Sequence, residues 1–365
     1  MLKGRKQNMK NSWLRKSMIV GTVIVLVGAS VVSAISRNVS IDTKPLNRGN
    51  TLYVGGSGPG NYTKLQDAIN ASSDGDTIFV YDDSSPYYEN IIIDKSLNFI
   101  GEDRDSTVID GMASGNSCIE VIANNVNLSN FTIQNALYTD NAGIWIRSGS
   151  HNVIFNNNIF DSNYGVHIFS YGKHEGTFNN VIKDNYFYNC SEGVCVSFSF
   201  GDIILNNKIY NSFYKHAESV GIQDFDSINT IIENNDIRNN GNGIMTDGSR
   251  NLTILSNNIR ENMIGIGLYY SFNVTISKNN IYSNKRFNIY SINYLFPRIS
   301  FDGNYWGKFK IKPKVIFGIQ KLYIFSIKRG YGHYVYYERI YLPLLIVTLD
   351  RNPAPEPFDI IPGVR

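Results

Sequence analysis

Apolar and polar residues alternate in short runs through the middle of the chain. One stretch contains such runs at residues 252–254 (LTI), 258–260 (NIR) and 265–268 (GIGL). Alternation with a period of two predicts β-strands, and nothing in this stretch has the spacing of an amphipathic helix. The pattern therefore predicts three short strands that are separated by tight bends.

The alternating runs recur with a basic period of 22 residues. Aligned on the apolar residue of an Asn-x-Ile phrase, successive anchors are 26, 28, 22, 28, 22, 22 and 25 residues apart. The anchors are Ile133, Ile159, Phe187, Ile209, Ile237, Ile259, Ile281 and Trp306. Asparagine stands two positions before seven of them, at Asn157, Asn185, Asn207, Asn235, Asn257, Asn279 and Asn304. A fixed period of this size predicts stacked units, which here are coils of three strands each.

Stacking explains why the same residues return in every coil. Successive coils pair strand on strand at about 4.8 Å, so inward apolar residues form one continuous core. The asparagines share one bend, and we expect each side-chain amide to bond to the next coil as a ladder that satisfies buried polar groups. A second register holds glycine, for which we expect another bend with positive φ. These glycines are Gly143, Gly165, Gly193, Gly221, Gly243 and Gly265.

The chain is predicted to have four segments. Residues 1–35 combine a basic flank with an apolar run, which is typical of a signal peptide or an uncleaved signal anchor. Residues 50–110 form an N-terminal cap and the first coils, with a short helix near Leu65 that Asn61 or Thr63 would cap. Residues 111–307 form the Asn-rich repeats. Residues 308–365 form a C-terminal β cap over the open end of the solenoid.

Several phrases resemble a known superfamily. "LQDAINASSDGDTIFV" (residues 65–80), "ENIIIDKSLNFIGE" (89–102) and "STVIDG" (106–111) resemble the first coils of the pectin-lyase-like superfamily. The Asn-rich units closed by "GNYWG" (303–307) resemble its NosD subgroup, which is named after a periplasmic copper-binding protein and is similar to domains described as carbohydrate-binding and sugar-hydrolysing.

This resemblance covers about residues 50–307. It implies an all-β fold, a single-stranded right-handed parallel β-helix with about three strands per 22-residue coil. It does not define the function, because this superfamily uses one scaffold for many activities.

Composition excludes some classes of protein. The net charge is +3 and only 18% of the residues are charged, with no basic patch of the kind that nucleic acid requires. The three cysteines are too few for a disulfide framework. The N-terminal segment places the rest of the chain outside the cytoplasm, as an extracellular, periplasmic or membrane-anchored protein.

No catalytic group stands out from the repeats. The motifs that the resemblance would imply for a polygalacturonase, a pectate lyase or a uronate epimerase do not occur in them. The catalytic candidates are Asp224, Asp226 and Asp247, of which the last two belong to neighbouring coils. Two such carboxylates can perform acid–base chemistry or hold a cation such as calcium. The alternative is that they are solvated turn residues, and Asp224 falls in a register that faces the core.

The row after each Gly-Ile pair is predicted to face outward. It contains His167 and Cys195 one coil apart, which are side chains that copper prefers, and these two are the metal candidates. Two further histidines, His174 and His216, stand in insertions at different corners. No cofactor is predicted from the residues themselves, and copper and calcium remain the alternatives.

Aromatic residues recur beside the same strands. Trp145, Phe169, Phe225 and Tyr269 are the candidate ligand-binding residues, because flat rings spaced by the coil rise suit stacking on sugar rings. The alternative is that these rings pack beneath the insertions. The sequence favours an exported, non-catalytic protein that binds polysaccharide or a cell-surface glycan, with the membrane contacted through the N-terminal segment. The alternatives are a polysaccharide hydrolase or lyase and a NosD-like copper-binding accessory protein.

Overall fold

The computed structural model describes residues 49–169, 176–210, 219–294, 298–307, 314–331, 334–350, 353–354, 356–358 and 360. The predicted signal or anchor segment, residues 1–35, lies outside the described residues, as do His174 and His216. Within the described part of the chain, no helix is long and apolar enough to cross a membrane.

The strands form three sheets in which each strand of one coil pairs with its counterpart in the next coil. Sheet A contains β1 (Thr51–Val54), β2 (Thr77–Val80), β4 (Asn98–Gly101), β7 (Asn127–Ser129), β10 (Val153–Phe155), β13 (Val181–Lys183), β16 (Ile203–Leu205), β19 (Ile231–Glu233), β22 (Thr253–Leu255), β25 (Val274–Ser277) and β28 (Ile299–Asp302). Sheet B contains β5 (Val108–Asp110), β8 (Thr132–Ala136), β11 (Asn158–Ser162), β14 (Tyr186–Tyr188), β17 (Lys208–Tyr210), β20 (Asp236–Arg238), β23 (Asn258–Arg260) and β26 (Asn280–Tyr282). Sheet C contains β3 (Ile91–Ile93), β6 (Ile119–Val121), β9 (Ala142–Ile146), β12 (Tyr164–Phe169), β15 (Glu192–Ser197), β18 (Val220–Phe225), β21 (Asn242–Asp247), β24 (Ile264–Tyr269), β27 (Phe287–Tyr294), β29 (Lys314–Tyr331) and β30 (Tyr334–Asp350).

This arrangement is a right-handed parallel β-helix, as the repeat and the resemblance predict. The core is built from inward rows that follow the register. The anchor residues of sheet B stack as one row, in which Ile209 pairs with Phe187 on one side and Ile237 on the other. All three side chains are buried.

The seven aligned asparagines lie at the corner between sheets A and B. The backbone N–H and side-chain Nδ2 of Asn207 both donate to Oδ1 of Asn235, at 2.9 and 3.1 Å. The Nδ2 of Asn207 also donates to the carbonyl of Ile182 at 2.8 Å. This pattern continues from Asn157 to Asn304, and every member is 0% exposed. The ladder therefore pairs polar groups that no water reaches.

The prediction of positive φ at the glycine register is wrong. Gly165 and Gly193 lie inside strands of sheet C, and neither has a positive φ. A Cβ on Gly193 would lie 2.6 Å from the carbonyl oxygen of Gly221 and 2.6 Å from Cγ2 of Ile209. Glycine is required there by this close approach. The positive-φ corner lies instead beside the ladder, for example at Asn206 (φ 57).

The N-terminal helix α1 (Leu65–Ala71) buries Leu65, Ala68 and Ile69. The prediction that Asn61 or Thr63 caps this helix is wrong, because the N-cap residue is Lys64 and it makes no side-chain capping bond. Instead, Glu89 accepts hydrogen bonds from the backbone N–H groups of Leu65 and Gln66, at 2.8 and 3.1 Å. A carboxylate from a neighbouring segment thus satisfies the free donors of the first turn.

Strands β29 and β30 form an antiparallel hairpin that follows β27 in sheet C. The carboxylate of Asp350, at the end of this hairpin, is 0% exposed. It accepts hydrogen bonds from Asn304 and from the indole N–H of Trp306.

Candidate functional site

The outer face of sheet C carries the four aromatic residues that the sequence singles out. Phe169, Phe225 and Tyr269 belong to one row on every second strand, with Ser197 and Asp247 between them, and Trp145 lies in the neighbouring row. All four side chains are half-buried. The ring of Phe198 packs edge-on against Phe169 and Phe225, at 5.9 and 5.3 Å between centroids. Phe169 and Phe225 therefore pack against Phe198 as well as facing outward.

The two metal candidates, His167 and Cys195, are register partners on this face. The His167 ring stacks on Tyr164 at 4.4 Å and lies parallel to Trp145 at 6.0 Å. Burial lowers the pKa of His167 to about 4, and burial raises the pKa of the Cys195 thiol well above its usual value. The imidazole is therefore neutral at pH 7, and the thiol remains protonated.

These residues do not fit a copper site. Nδ1 of His167 lacks a hydrogen-bond partner in the described part of the chain. The Cys195 thiol contacts Ser197 Oγ at 3.5 Å, and burial raises its pKa, so it would have to lose a proton to bind copper. No group of three or more His, Cys, Asp or Glu side chains that could hold a metal ion occurs among the described residues. Cys118 and Cys190 are buried in the solenoid.

The outer face of sheet C also holds Glu192, which the sequence reasoning missed. Burial raises the pKa of this carboxyl group to about 7. When the Gln223 amide is oriented to donate, its nitrogen lies 3.0 and 3.1 Å from the two Glu192 oxygens. Tyr164 is the register partner of Glu192 on the preceding coil. Glu192 can exchange a proton near neutral pH, which is the property that acid–base chemistry requires.

The three candidate aspartates do not share one surface. Asp224 is 0% exposed inside the solenoid, where Thr230 Oγ1 donates to its Oδ1 at 3.0 Å. Burial raises its pKa to about 6. Asp226 is exposed and Asp247 is half-buried, and the backbone N–H of Asp226 donates to the carbonyl of Asp247 at 2.8 Å. Burial, and secondarily the charge of Asp226, raise the pKa of Asp247.

A groove runs along the outer face of sheet B, with a cavity volume of about 740 Å³. Strands β11, β14, β17 and β20 provide its floor, and the loop between β4 and β5 forms one end. The lining residues are Arg104, Asp105, Asn158, Phe160, Asp161, Tyr186, Tyr188, Lys208, Tyr210 and Arg238. The groove crosses three strand-to-strand steps, which is about 14 Å along the solenoid axis.

Tyrosine rings form the floor of this groove. The rings of Tyr186 and Tyr188 are nearly parallel, with an interplanar angle of 4° and 6.5 Å between centroids. Tyr210 meets Tyr186 edge-on at 5.5 Å. Tyr188 is 42% exposed, so one large aromatic surface faces the solvent.

Arg238 and Tyr210 are held in place by a buried carboxylate. The guanidinium of Arg238 lies over the Tyr210 ring at 4.1 Å. The Tyr210 hydroxyl donates to Asp236 Oδ2 at 2.6 Å, and Arg238 Nε lies 3.8 Å from the same oxygen. Burial and the hydrogen bond to Asp236 raise the pKa of Tyr210, so its hydroxyl stays protonated. The groove is thus a preorganised surface of rings and cations.

The sequence contained a signal for this groove. The residues directly before and after each Asn-x-Ile anchor must face outward in sheet B. They include Phe160, Tyr186, Tyr188, Lys208, Tyr210 and Arg238. The aromatic residues predicted to bind sugar lie instead after the glycine strands of sheet C, so they do not include these rows.

Three parallel sheets around a stacked core, with an asparagine ladder at one corner, define a right-handed parallel β-helix protein. Residues 69–311 match the family described as "Periplasmic copper-binding protein (NosD)", and the chain belongs to this family. No curated protein sequence matches the chain significantly.

Solved structures share the fold at low sequence identity. XylC in complex with xylose superimposes with a TM-score of 0.60 at 11% identity, covering 77% of this chain and 71% of that chain. An alginate lyase from Paenibacillus gives 0.54 at 14% identity, covering 71% of this chain and 96% of that chain. The pre-mature gene product 12 of bacteriophage phi29 gives 0.56 at 15% identity, covering 67% of this chain and 40% of that chain. At these identities the likeness concerns the fold alone.

Proposed function

We propose that this protein is an exported, non-catalytic β-helix that binds polysaccharide in the groove of sheet B. The observation that carries the proposal is the floor of parallel and edge-packed tyrosine rings, which is flanked by fixed cations. A sugar ring presents C–H groups to an aromatic face and hydroxyl groups to polar neighbours, and this groove offers both. The groove follows the solenoid axis, so it accommodates a linear chain.

Export is supported by the N-terminal sequence pattern and by the word "periplasmic" in the family description. The aromatic face of sheet C is proposed as a secondary contact for the same polymer, through Trp145, Phe169, Phe225 and Tyr269. Copper binding receives less support, because the side chains of His167 and Cys195 do not fit the metal.

The experiment is retention of the purified protein on a panel of immobilised neutral and acidic polysaccharides, with chromatographic detection of soluble products. Retention without products supports the proposal. Failure to bind any polysaccharide contradicts it.

One observation favours a second candidate function, a polysaccharide hydrolase or lyase on the outer face of sheet C. Burial raises the pKa of Glu192 to about 7, and this carboxyl group lies beside Gln223 on the outer face of the sheet. Soluble products that disappear in the Glu192→Gln variant, or in the Asp226→Asn and Asp247→Asn double variant, would establish this activity in place of simple binding.

A further inference from the structure

The charged side chains around the sheet B groove differ in whether they have an oppositely charged partner. Asp236 lies beside Lys208 in register, but its carboxylate already has four other partners. Oδ1 accepts from Asn258 Nδ2 at 2.9 Å and lies 3.7 Å from an Arg260 nitrogen. Oδ2 accepts from the Tyr210 hydroxyl and lies close to Arg238. Two arginines therefore balance this one carboxylate without Lys208.

The carboxylates of the two acidic residues in the groove lining also have hydrogen-bond partners. Asp105 Oδ1 accepts from Asn158 Nδ2 at 2.7 Å and pairs with Arg104 Nε at 3.4 Å. Asp161 accepts a hydrogen bond from Asn189. Among the described residues, Lys208 forms no ion pair. Its ammonium group is the cation of the groove that a ligand can neutralise.

We infer that the groove selects anionic polysaccharides, with Lys208 contacting a carboxylate of a sugar whose ring stacks on Tyr188. This inference rests on the proposed function and names the class of its ligand. Tyr188 is the register partner of Tyr210, and Lys208 lies two residues before Tyr210 on the same strand. The Cα atoms of Tyr188 and Lys208 are therefore about 8 Å apart, a distance that one sugar unit and a lysine side chain bridge together.

Lysine suits this task because its ammonium is a mobile point charge on a flexible stem. Arg238 is fixed on the Tyr210 ring and shapes the groove, whereas Lys208 is able to follow the anion. A half-exposed charge contact of this kind weakens as salt is added. The preference for anionic polymer is therefore expected to depend on ionic strength, while ring stacking persists.

The test compares three preparations: a polyuronate, the same polymer after chemical reduction of its carboxyl groups, and a sulfated neutral polysaccharide. Dissociation constants are measured by calorimetry at low and high salt. The polyuronate is expected to bind about tenfold more tightly than its reduced form at low salt, with the difference shrinking at high salt.

Four variants separate the contributions. Lys208→Gln is expected to remove the preference for the polyuronate and to leave binding of the reduced polymer intact. Lys208→Arg is expected to retain most of the preference for the polyuronate. The matched control is Lys183→Gln, on the outer face of sheet A, where the ammonium lies over the Phe155 ring at 5.4 Å. Tyr188→Ala is expected to weaken binding of all three polymers.

Equal binding of the polyuronate and its reduced form would overturn the inference and leave the proposed function standing. Tighter binding of the sulfated polymer than of the polyuronate would also overturn it, because the recognised anion would then be sulfate. If Lys183→Gln and Lys208→Gln reduced the preference for the polyuronate equally, the anion contact could not be assigned to the sheet B groove. Failure of all three polymers to bind would contradict the proposed function itself.

Discussion

Asp350 ends the asparagine ladder by accepting hydrogen bonds from Asn304. The backbone N–H and Nδ2 of Asn304 both donate to Asp350 Oδ2 at 3.1 Å, which repeats the bonding that each ladder asparagine makes to the next coil. The indole N–H of Trp306 donates to the same oxygen at 3.0 Å. One carboxylate from the C-terminal hairpin thus replaces the asparagine of an absent next coil.

The first prediction concerns this contact. Asp350→Ala would remove the acceptor of the Asn304 N–H and of the Trp306 indole N–H, while Asn304 Nδ2 keeps its bond to the Ile276 carbonyl. We expect the variant to reduce the free energy of unfolding by about 2–4 kcal/mol. Asp350→Asn keeps one acceptor oxygen and should cost clearly less. Urea unfolding monitored by circular dichroism measures both variants. Equal stability of Asp350→Ala and the wild type would show that the hairpin does not close the ladder.

The second prediction concerns the glycine register. Gly193→Ala places a methyl group 2.6 Å from both the Gly221 carbonyl oxygen and Ile209 Cγ2, so neighbouring coils must separate. We expect a loss of about 1–3 kcal/mol in the free energy of unfolding. Gly176→Ala is the matched control, since among the described residues its new Cβ would meet only the Phe198 carbonyl oxygen, at 3.8 Å. Similar losses in the two variants would contradict the packing explanation.

The third prediction concerns pH. Burial raises the pKa of Asp202 from its usual value to about 7, and this side chain is 0% exposed. A carboxyl group with a raised folded-state pKa contributes stability that is fully present below its unfolded pKa and is lost as pH rises through the folded value. We therefore expect the melting temperature to fall between about pH 4 and pH 7 and to level off at higher pH. Asp224 and Glu192 act in the same direction.

Asp202→Asn tests this assignment directly. Asp202 Oδ1 accepts from the backbone N–H and Nδ2 of Asn180, at 2.8 and 3.2 Å, in the same manner as a ladder asparagine. Asparagine retains this acceptor and removes the titration, so the variant should be more stable than the wild type at pH 8, by on the order of 2 kcal/mol. Exposed Asp94→Asn is the control. A variant with the same pH dependence as the wild type would refute the role of Asp202.

The repeat made much of the fold predictable from the sequence. Asparagine stands two positions before seven of the eight anchors, which predicts the same bend in each coil. Asn207 donates to Asn235 at this bend, as predicted. The register also predicted an inward position for Asp224, which is where its side chain lies. These features are predictable because every coil repeats the same local geometry.

Features that depend on contacts between distant segments were not predictable. Glu89 caps α1 from a separate loop, and Asp350 meets Asn304 across 46 residues of sequence. A repeated glycine suggests a bend with positive φ, whereas the actual constraint at Gly193 is the close carbonyl of the next coil. The tyrosine floor lies in the rows that flank the anchors of sheet B, whereas the predicted aromatic contacts lie after the glycine strands of sheet C.

The most direct test of the account is the affinity of the Tyr188→Ala variant for the polysaccharide that the wild type retains. Tyr188 is 42% exposed on the groove floor, and Tyr88, which is 60% exposed outside the groove, provides the control Tyr88→Ala. We predict that Tyr188→Ala binds about tenfold more weakly, while Tyr88→Ala binds like the wild type. Undiminished binding by Tyr188→Ala, with its fold intact, would show that the groove of sheet B is not where the glycan binds.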